Sequence, residues 1–174
     1  MTRLAKLVAA VALLAASSVA CGRDEGMTLR SAAFESGTSI PFVHSCEGDN
    51  QSPPLSWTNV PEEAVELALV VADPNADGGV FHHWVVLGID ASPGEVAAGA
   101  LPEGAVQAMG SSENPTWIGP CPPAGEEHEY VFSLYPLSRS LGLAGGVELE
   151  TALDAIDDAR IRDEEAELIG TFAS

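Results

Sequence analysis

Val65-Glu66-Leu67-Ala68-Leu69-Val70-Val71 and His83-Trp84-Val85-Val86-Leu87-Gly88-Ile89 are two apolar runs separated by the turn residues Asp73-Pro74-Asn75 and Gly78-Gly79. Both are strand-length, rich in β-branched residues and bounded by chain-reversing chemistry, the second ending at Asp90 and Ser92-Pro93-Gly94. A third run, Tyr130-Val131-Phe132-Ser133-Leu134-Tyr135, has the same character. Together they predict central strands of a largely antiparallel sheet system, with Trp57, Trp84, Phe132 and Leu134 as core residues. The Pro- and Gly-rich pieces between them read as long loops, where binding sites concentrate. Helical periodicity is confined to the tail. Glu148 to Ala159 carries Leu149, Leu153 and Ile156 in one apolar stripe. Glu164 to Leu168 reads as a helix end or a loop, and Glu167 to Phe172 predicts a terminal strand.

A chain of 174 residues has room for one domain with one proper core. No internal repeat or second domain boundary follows Met27. The net charge is -19, from 26 acidic and 7 basic residues. Two of the basic residues, Arg3 and Lys6, lie in the leader, so five arginines face all 26 acidic groups beyond it, a net of -21. Such a surface repels phosphate backbones and anionic membranes, which argues against nucleic-acid binding and electrostatic lipid docking. The plainer role of this acidity is solubility.

Met1 to Lys6 is short and basic, Leu7 to Ala16 is apolar, and Ser17-Ser18-Val19-Ala20 supplies small residues before Cys21. That order is a secretory signal over residues 1–20, its apolar part too short for a hydrocarbon core of about 30 Å. Small residues directly before Cys21 resemble a bacterial lipobox, in which the thiol is acylated; Ser18 stands where Leu is usual. An ordinary signal peptide with an incidental cysteine is the other reading. Lipidation of Cys21 makes residues 21–27 a tether and residues 28–174 the folded domain, held to the cell envelope by its lipid alone. It leaves an even pair, Cys46 and Cys121, either bonded in an oxidising compartment or buried as two separate thiols.

Three stretches carry a family resemblance. They are Cys46-Glu47-Gly48-Asp49-Asn50-Gln51-Ser52-Pro53-Pro54-Leu55-Ser56-Trp57; Leu69 through Asp73-Pro74-Asn75-Ala76 to His83-Trp84-Val85-Val86; and Gly119-Pro120-Cys121-Pro122-Pro123 with Gly125, His128, Tyr130 and Leu134-Tyr135. Colinear and spaced as they are, they resemble the phosphatidylethanolamine-binding proteins, in particular the bacterial Raf-kinase-inhibitor-like branch, over residues 28 to 174. The resemblance implies a mainly β fold, an antiparallel β-sheet sandwich with a few peripheral helices. It also implies a small cavity for an anion or phospholipid headgroup. Carried over, Asp73 is the pocket aspartate, His83 the histidine before Trp, Gly119 and Pro120 the Gly-Pro wall, and His128 and Tyr130 the His-x-Tyr pair. Cys46 and Cys121 both fall in stretches that approach this pocket, which favours a disulfide.

The chemistry agrees with that assignment. A histidine beside a carboxylate can donate to a phosphate oxygen, a tyrosine hydroxyl donates as well, and Gly admits an anion close to the backbone. Asp73 cannot attract an anion; it orients a histidine or accepts from a headgroup ammonium or hydroxyl. Three features depart from the family pattern: Asn75-Ala76-Asp77, which adds negative charge near the pocket; His82 beside His83; and Asn114 to Ile118. His82, His83, His128 and Asp73 have the residue types of a zinc site, but adjacent strand histidines point to opposite faces, so no metal or other cofactor is expected. A purely structural histidine is the plainer alternative. Ser52 and Ser56 sit in no nucleophile elbow and no phosphate-loop glycines occur, so a non-enzymatic binding protein is expected. The alternatives are an inhibitor or interaction module for an envelope protein partner, protease or kinase-like, and an unrecognised hydrolase.

Overall fold

The computed structural model describes residues 26–174; the signal, Cys21 and most of the tether lie outside the described residues. In chain order the elements are β1 (Thr28–Arg30), β2 (Thr38–Ser39), a 3-10 turn (Phe42–His44), β3 (Leu55–Thr58), β4 (Glu66–Asp73), β5 (Phe81–Asp90), β6 (Gly94–Val96), β7 (Val106–Gln107), β8 (Glu127–Leu137), α1 (Leu149–Ala159) and β9 (Ala166–Ala173). The three apolar runs are the centres of β4, β5 and β8, and the predicted terminal strand is β9. The ambiguous segment near Glu164 is a turn that leads into β9 at Ala166.

Six strands form one sheet in the order β2-β9-β8-β4-β5-β7, and β1-β3-β6 form a second. Every pairing is antiparallel except β2 with β9. The fold is therefore mainly β, as expected, with one α-helix among the described residues where a few had been anticipated.

Strand alternation gives the large sheet two buried faces. Leu67, Leu69, Val71, Trp84, Val86, Tyr130, Phe132 and Leu134 point toward the small sheet and meet Leu29, Leu55, Trp57 and Val96 there. Ala68, Val70, Val85, Leu87 and Leu137 point the other way and are covered by α1. The helix buries Ala152, Ile156 and Ala159, while Leu149 and Leu153 are only half-buried. Its apolar stripe is thus centred on small residues, which let the helix lie close to the sheet.

Two bulges in β5 decide what faces where. Leu67 pairs with Ile89 and Leu69 with Val86, so β5 carries one extra residue there. Gly88 takes it up with φ +75°, a backbone state that L side chains resist, and its N–H donates to the buried carboxylate of Glu66 at 3.1 Å. Glu66 also accepts from the Ser140 hydroxyl at 2.6 Å and the Leu141 N–H at 3.3 Å, so its burial is compensated. The second bulge lies between Val71↔Trp84 and Ala72↔His82, leaving His83 as the unpaired extra residue. It reverses the alternation beyond Trp84. His82 joins Ala72 on the helix side, while His83 turns to the face of Asp73 and Phe81.

Candidate functional site

Asp73 ends β4 on the small-sheet face, where Phe81 pairs with it across the hairpin. On its other flank Ala72 pairs with Val131, which brings His128 and Tyr130 of β8 alongside. Asp73, Phe81, His128 and Tyr130, with His83, Ala76, Asp77, Ile118, Cys121 and Pro123, line a cavity of about 230 Å³. Asp73, His83, His128 and Tyr130 are all buried.

Asp73 is the hub. Its Oδ2 lies 2.7 Å from His128 Nδ1, and its Oδ1 accepts the Asn75 N–H at 2.7 Å. Asn75 Oδ1 in turn accepts the Glu129 N–H at 2.8 Å, which ties the β4–β5 hairpin to β8. The hydrogen bond to Asp73 is the main cause that raises the His128 pKa; burial opposes it, and Glu126 Oε2, 3.3 Å from Nε2, adds to the rise. His128 is accordingly the histidine whose charged form the site favours.

His83 behaves oppositely. Burial lowers its pKa, with His82 and His128 acting in the same direction, against the Ile118 hydrogen bond and the charge of Asp73. Its Nδ1 lies 2.7 Å from the Ile118 carbonyl, which can only accept, so the ring proton sits on Nδ1. The Ile118 N–H donates back to the His83 carbonyl at 3.2 Å. In the neutral ring Nε2 is an acceptor, and no protein group satisfies it among the described residues. His83 packs on Phe81 and edge-on to Tyr130. The Tyr130 hydroxyl is buried and donates to no group among the described residues, with the Cys121 main chain close to it. Burial raises its pKa strongly, the charge of Asp73 adds to that, and the Cys121 main chain nearby acts the other way, so it remains a neutral donor.

A braced loop positions these groups. Cys46 and Cys121 are disulfide-bonded, with Cα atoms 5.5 Å apart. The Cys46 N–H donates to the Pro120 carbonyl at 3.0 Å, and the Gly119 N–H donates to Asn50 Oδ1 at 2.8 Å. Only glycine fits at 119, since a Cβ there would lie 2.5 Å from the His44 carbonyl oxygen. The segment that holds His83 through Ile118 is thus fixed from both sides.

Four of the six expected site residues, Asp73, His83, His128 and Tyr130, meet in one cavity. Gly119 and Pro120 stand behind the lining between Ile118 and Cys121, and hold the loop rather than face the cavity. The expected coupling of a carboxylate to a charged histidine falls on His128. His83, the histidine before Trp84, has its pKa lowered because the bulge turns it into the buried face, despite its hydrogen bond to Ile118. His82 lines a separate groove of about 370 Å³ against α1, near Tyr135, Ile156 and Arg160. No group of three or more His, Cys, Asp or Glu side chains among the described residues is arranged to hold a metal ion. Sequence reasoning passed over Glu126, Asn50, Phe81 and Ile118. Of these only Glu126 carried a signal, as one of two carboxylates just before His128.

A sandwich of two unequal β-sheets, antiparallel but for β2 with β9, with a small cavity where Asp73, His83, His128 and Tyr130 meet, points to a binding-type protein. The chain belongs to the phosphatidylethanolamine-binding protein family, whose profile it matches over residues 30–173. It is 43% identical over 149 residues to a putative lipoprotein, LppC, of Mycobacterium tuberculosis, covering 85% of this chain and 73% of that one. A UPF0098 protein of Methanothermobacter thermautotrophicus is 40% identical over 151 residues, covering 84% and 98% respectively. Among solved structures, the putative phosphatidylethanolamine-binding protein homologue CT736 of Chlamydia trachomatis superposes with TM-score 0.79 at 37% identity, covering 86% of this chain and 98% of its own. YbcL of E. coli, described as a new member of the mammalian family, also gives 0.79 at 27% identity, covering 86% and 99%.

Proposed function

We propose that this protein binds a small phosphorylated ligand, a free phospho-compound or a lipid headgroup, non-covalently in the Asp73–His128 cavity. The observation that carries this reading is the convergence of one cationic and one neutral histidine with a buried, unpartnered Tyr130 hydroxyl on a single cavity. Tyr130 and His128 supply donors for phosphoryl oxygens. His83 Nε2 supplies an acceptor, and the Asp77 carboxylate a negative charge, for an ammonium or hydroxyl on the same ligand. At about 230 Å³ the cavity falls below the 300–1,000 Å³ range of sites that enclose drug-sized molecules, so it suits a headgroup rather than an acyl chain. No nucleophile paired to a base stands in it, which supports binding without turnover. Export through the 1–20 signal and anchorage at Cys21 complete the reading, in keeping with the lipoprotein name of the Mycobacterium relative. The ligand is then met in the cell envelope.

The test is a thermal-shift series with phosphate, phosphoethanolamine, phosphocholine and zinc. A ligand at a hundred times its Kd adds about 2.7 kcal/mol of stability. A shift with a phospho-compound that disappears in His83→Ala and Asp73→Ala supports the reading. Equal shifts in parent and variants, or none with any phospho-compound, refute it and turn attention to a protein partner in the envelope.

A further inference from the structure

Both ring nitrogens of His128 already face a carboxylate. Asp73 holds Nδ1 at 2.7 Å from inside the fold, where the Asn75 N–H pins its other oxygen. Glu126 Oε2 lies 3.3 Å from Nε2, and it differs from Asp73 in every other respect. Its side chain is 57% exposed and makes no other polar contact among the described residues. Its backbone closes the Pro123–Glu126 turn, with the Glu126 N–H on the Pro123 carbonyl at 3.0 Å. Asp73 is thus built in, whereas Glu126 rests on His128 by one long contact and is free to leave.

We propose that Glu126 is an internal competitor for the anion, standing on His128 Nε2 where a ligand oxygen must bind, and that it selects phosphoryl dianions over carboxylate monoanions. This inference rests on the binding reading above. A tethered carboxylate presents an effective concentration in the millimolar range, and a free monocarboxylate offers His128 nothing that Glu126 does not. A phosphoryl group brings up to twice the charge and three acceptor oxygens, enough to take Nε2 and the Tyr130 hydroxyl together. Like-charge repulsion from Glu126 opposes every bound anion until this carboxylate is pushed toward solvent, and only a ligand that brings several contacts of its own offsets that displacement. An exposed ion pair of this kind is worth at most a factor of about five in affinity, and relief of the repulsion adds to it.

The experiment compares the parent, Glu126→Gln and Glu127→Gln by calorimetric titration with inorganic phosphate, phosphoethanolamine and acetate. Glu127→Gln removes the same charge from an exposed neighbour whose side chain makes no polar contact with the His128 ring. Glu126→Gln is expected to bind both phospho-compounds about three- to tenfold more tightly than the parent and to acquire measurable acetate binding. Its His128 imidazole should titrate at lower pH by NMR. Glu127→Gln should stay within about twofold of the parent, with His128 unmoved. Equal tightening in both variants would reduce the effect to bulk charge and overturn the inference. If the parent binds phosphate and Glu126→Gln binds it no better, the inference alone falls. If no phospho-compound binds any of the three, the binding reading falls and the inference with it. Phosphoethanolamine binding much more tightly than phosphate identifies the headgroup as the source of the anion; equal affinities identify free phosphate.

Discussion

Gly119→Ala tests whether the braced loop is wedged in place. Gly119 is not in the left-handed region, so the cost of a side chain there is contact rather than backbone strain. The new Cβ would lie 2.5 Å from the His44 carbonyl oxygen, 2.7 Å from the Ser45 carbonyl carbon and 2.8 Å from Asn50 Oδ1. Two of these are backbone atoms, and the Cys46–Cys121 disulfide holds the two segments together, so neither side yields cheaply. Overpacking of this kind costs about 1–3 kcal/mol. Displacing the Gly119 N–H from Asn50 Oδ1 adds about 0.5–1.5 kcal/mol. A total of about 1.5–4.5 kcal/mol corresponds to a drop of roughly 3 to 18 °C in Tm for a domain of this size. Gly125→Ala is the control: its Cβ meets nothing within 4 Å, and only the φ of +87° opposes it, at about 1–2 kcal/mol. Calorimetric melts of the oxidised proteins give the first readout. The second is His83, which loses its Ile118 acceptor as the loop moves and should titrate at still lower pH. A Gly119→Ala protein that melts within about 2 °C of the parent, with His83 unchanged, would refute the wedge.

NMR titration should separate the histidines, with His128 above the ordinary value of about 6.5 and both His83 and His82 below it. In linkage terms, the stabilisation from His128 is complete below about pH 6.5 and is lost as pH rises through its folded value; Asp73→Asn abolishes it. The two depressed histidines act oppositely, contributing above about pH 6.5 and losing that contribution as pH falls through their folded values. Reducing the disulfide, or Cys46→Ser with Cys121→Ser, opens a loop with a sequence separation of 75 residues. Chain entropy puts the loss at up to about 4.5 kcal/mol, read as a lower urea midpoint; an unchanged midpoint would mean that the packing at Gly119 holds the loop by itself. Tyr130→Phe removes a buried donor that has no partner, so the free protein should be as stable as the parent or up to about 1 kcal/mol more stable, while calorimetry shows weaker phosphate binding. Loss of stability would place the hydroxyl in a structural bond instead.

Much of the fold was legible because the strands are long and their chemistry is one-sided. Val65 to Val71 and Tyr130 to Tyr135 are bounded by Pro, Gly and Asp, and their β-branched and aromatic content leaves no good helical alternative. The short strands were not legible. Thr38–Ser39 and Val106–Gln107 have no hydrophobic period of their own and exist because β9 and β5 offer edges to them. The helix is legible from its period, which predicts a buried stripe of Leu149, Leu153 and Ile156. Packing against the sheet instead selects Ala152, Ile156 and Ala159, since small side chains permit the closer approach.

The site was legible as a set of residues and illegible as a set of roles. In the chain His83 lies ten residues beyond Asp73, and a hairpin brings them close, so pairing the aspartate with that histidine is the natural reading. Strict alternation outward from Trp84 would put His82, not His83, on the face of Asp73. The bulge opposite Val71 and Ala72 exchanges the two, the Ile118 carbonyl then accepts a hydrogen bond from His83 Nδ1, and burial lowers the pKa of the ring. Asp73 is left to His128, delivered by β8 from its other flank. Neither step has a local sequence signal: a bulge is set by the register of two strands, and the Ile118 carbonyl by a loop braced through Cys121 and Gly119. A neutral histidine facing a charged one gives the cavity an acceptor and a donor side by side, which two equivalent histidines would not. The proposed binding of a ligand with both an anionic oxygen and a donor rests on that pairing, and the register slip in β5 is what creates it.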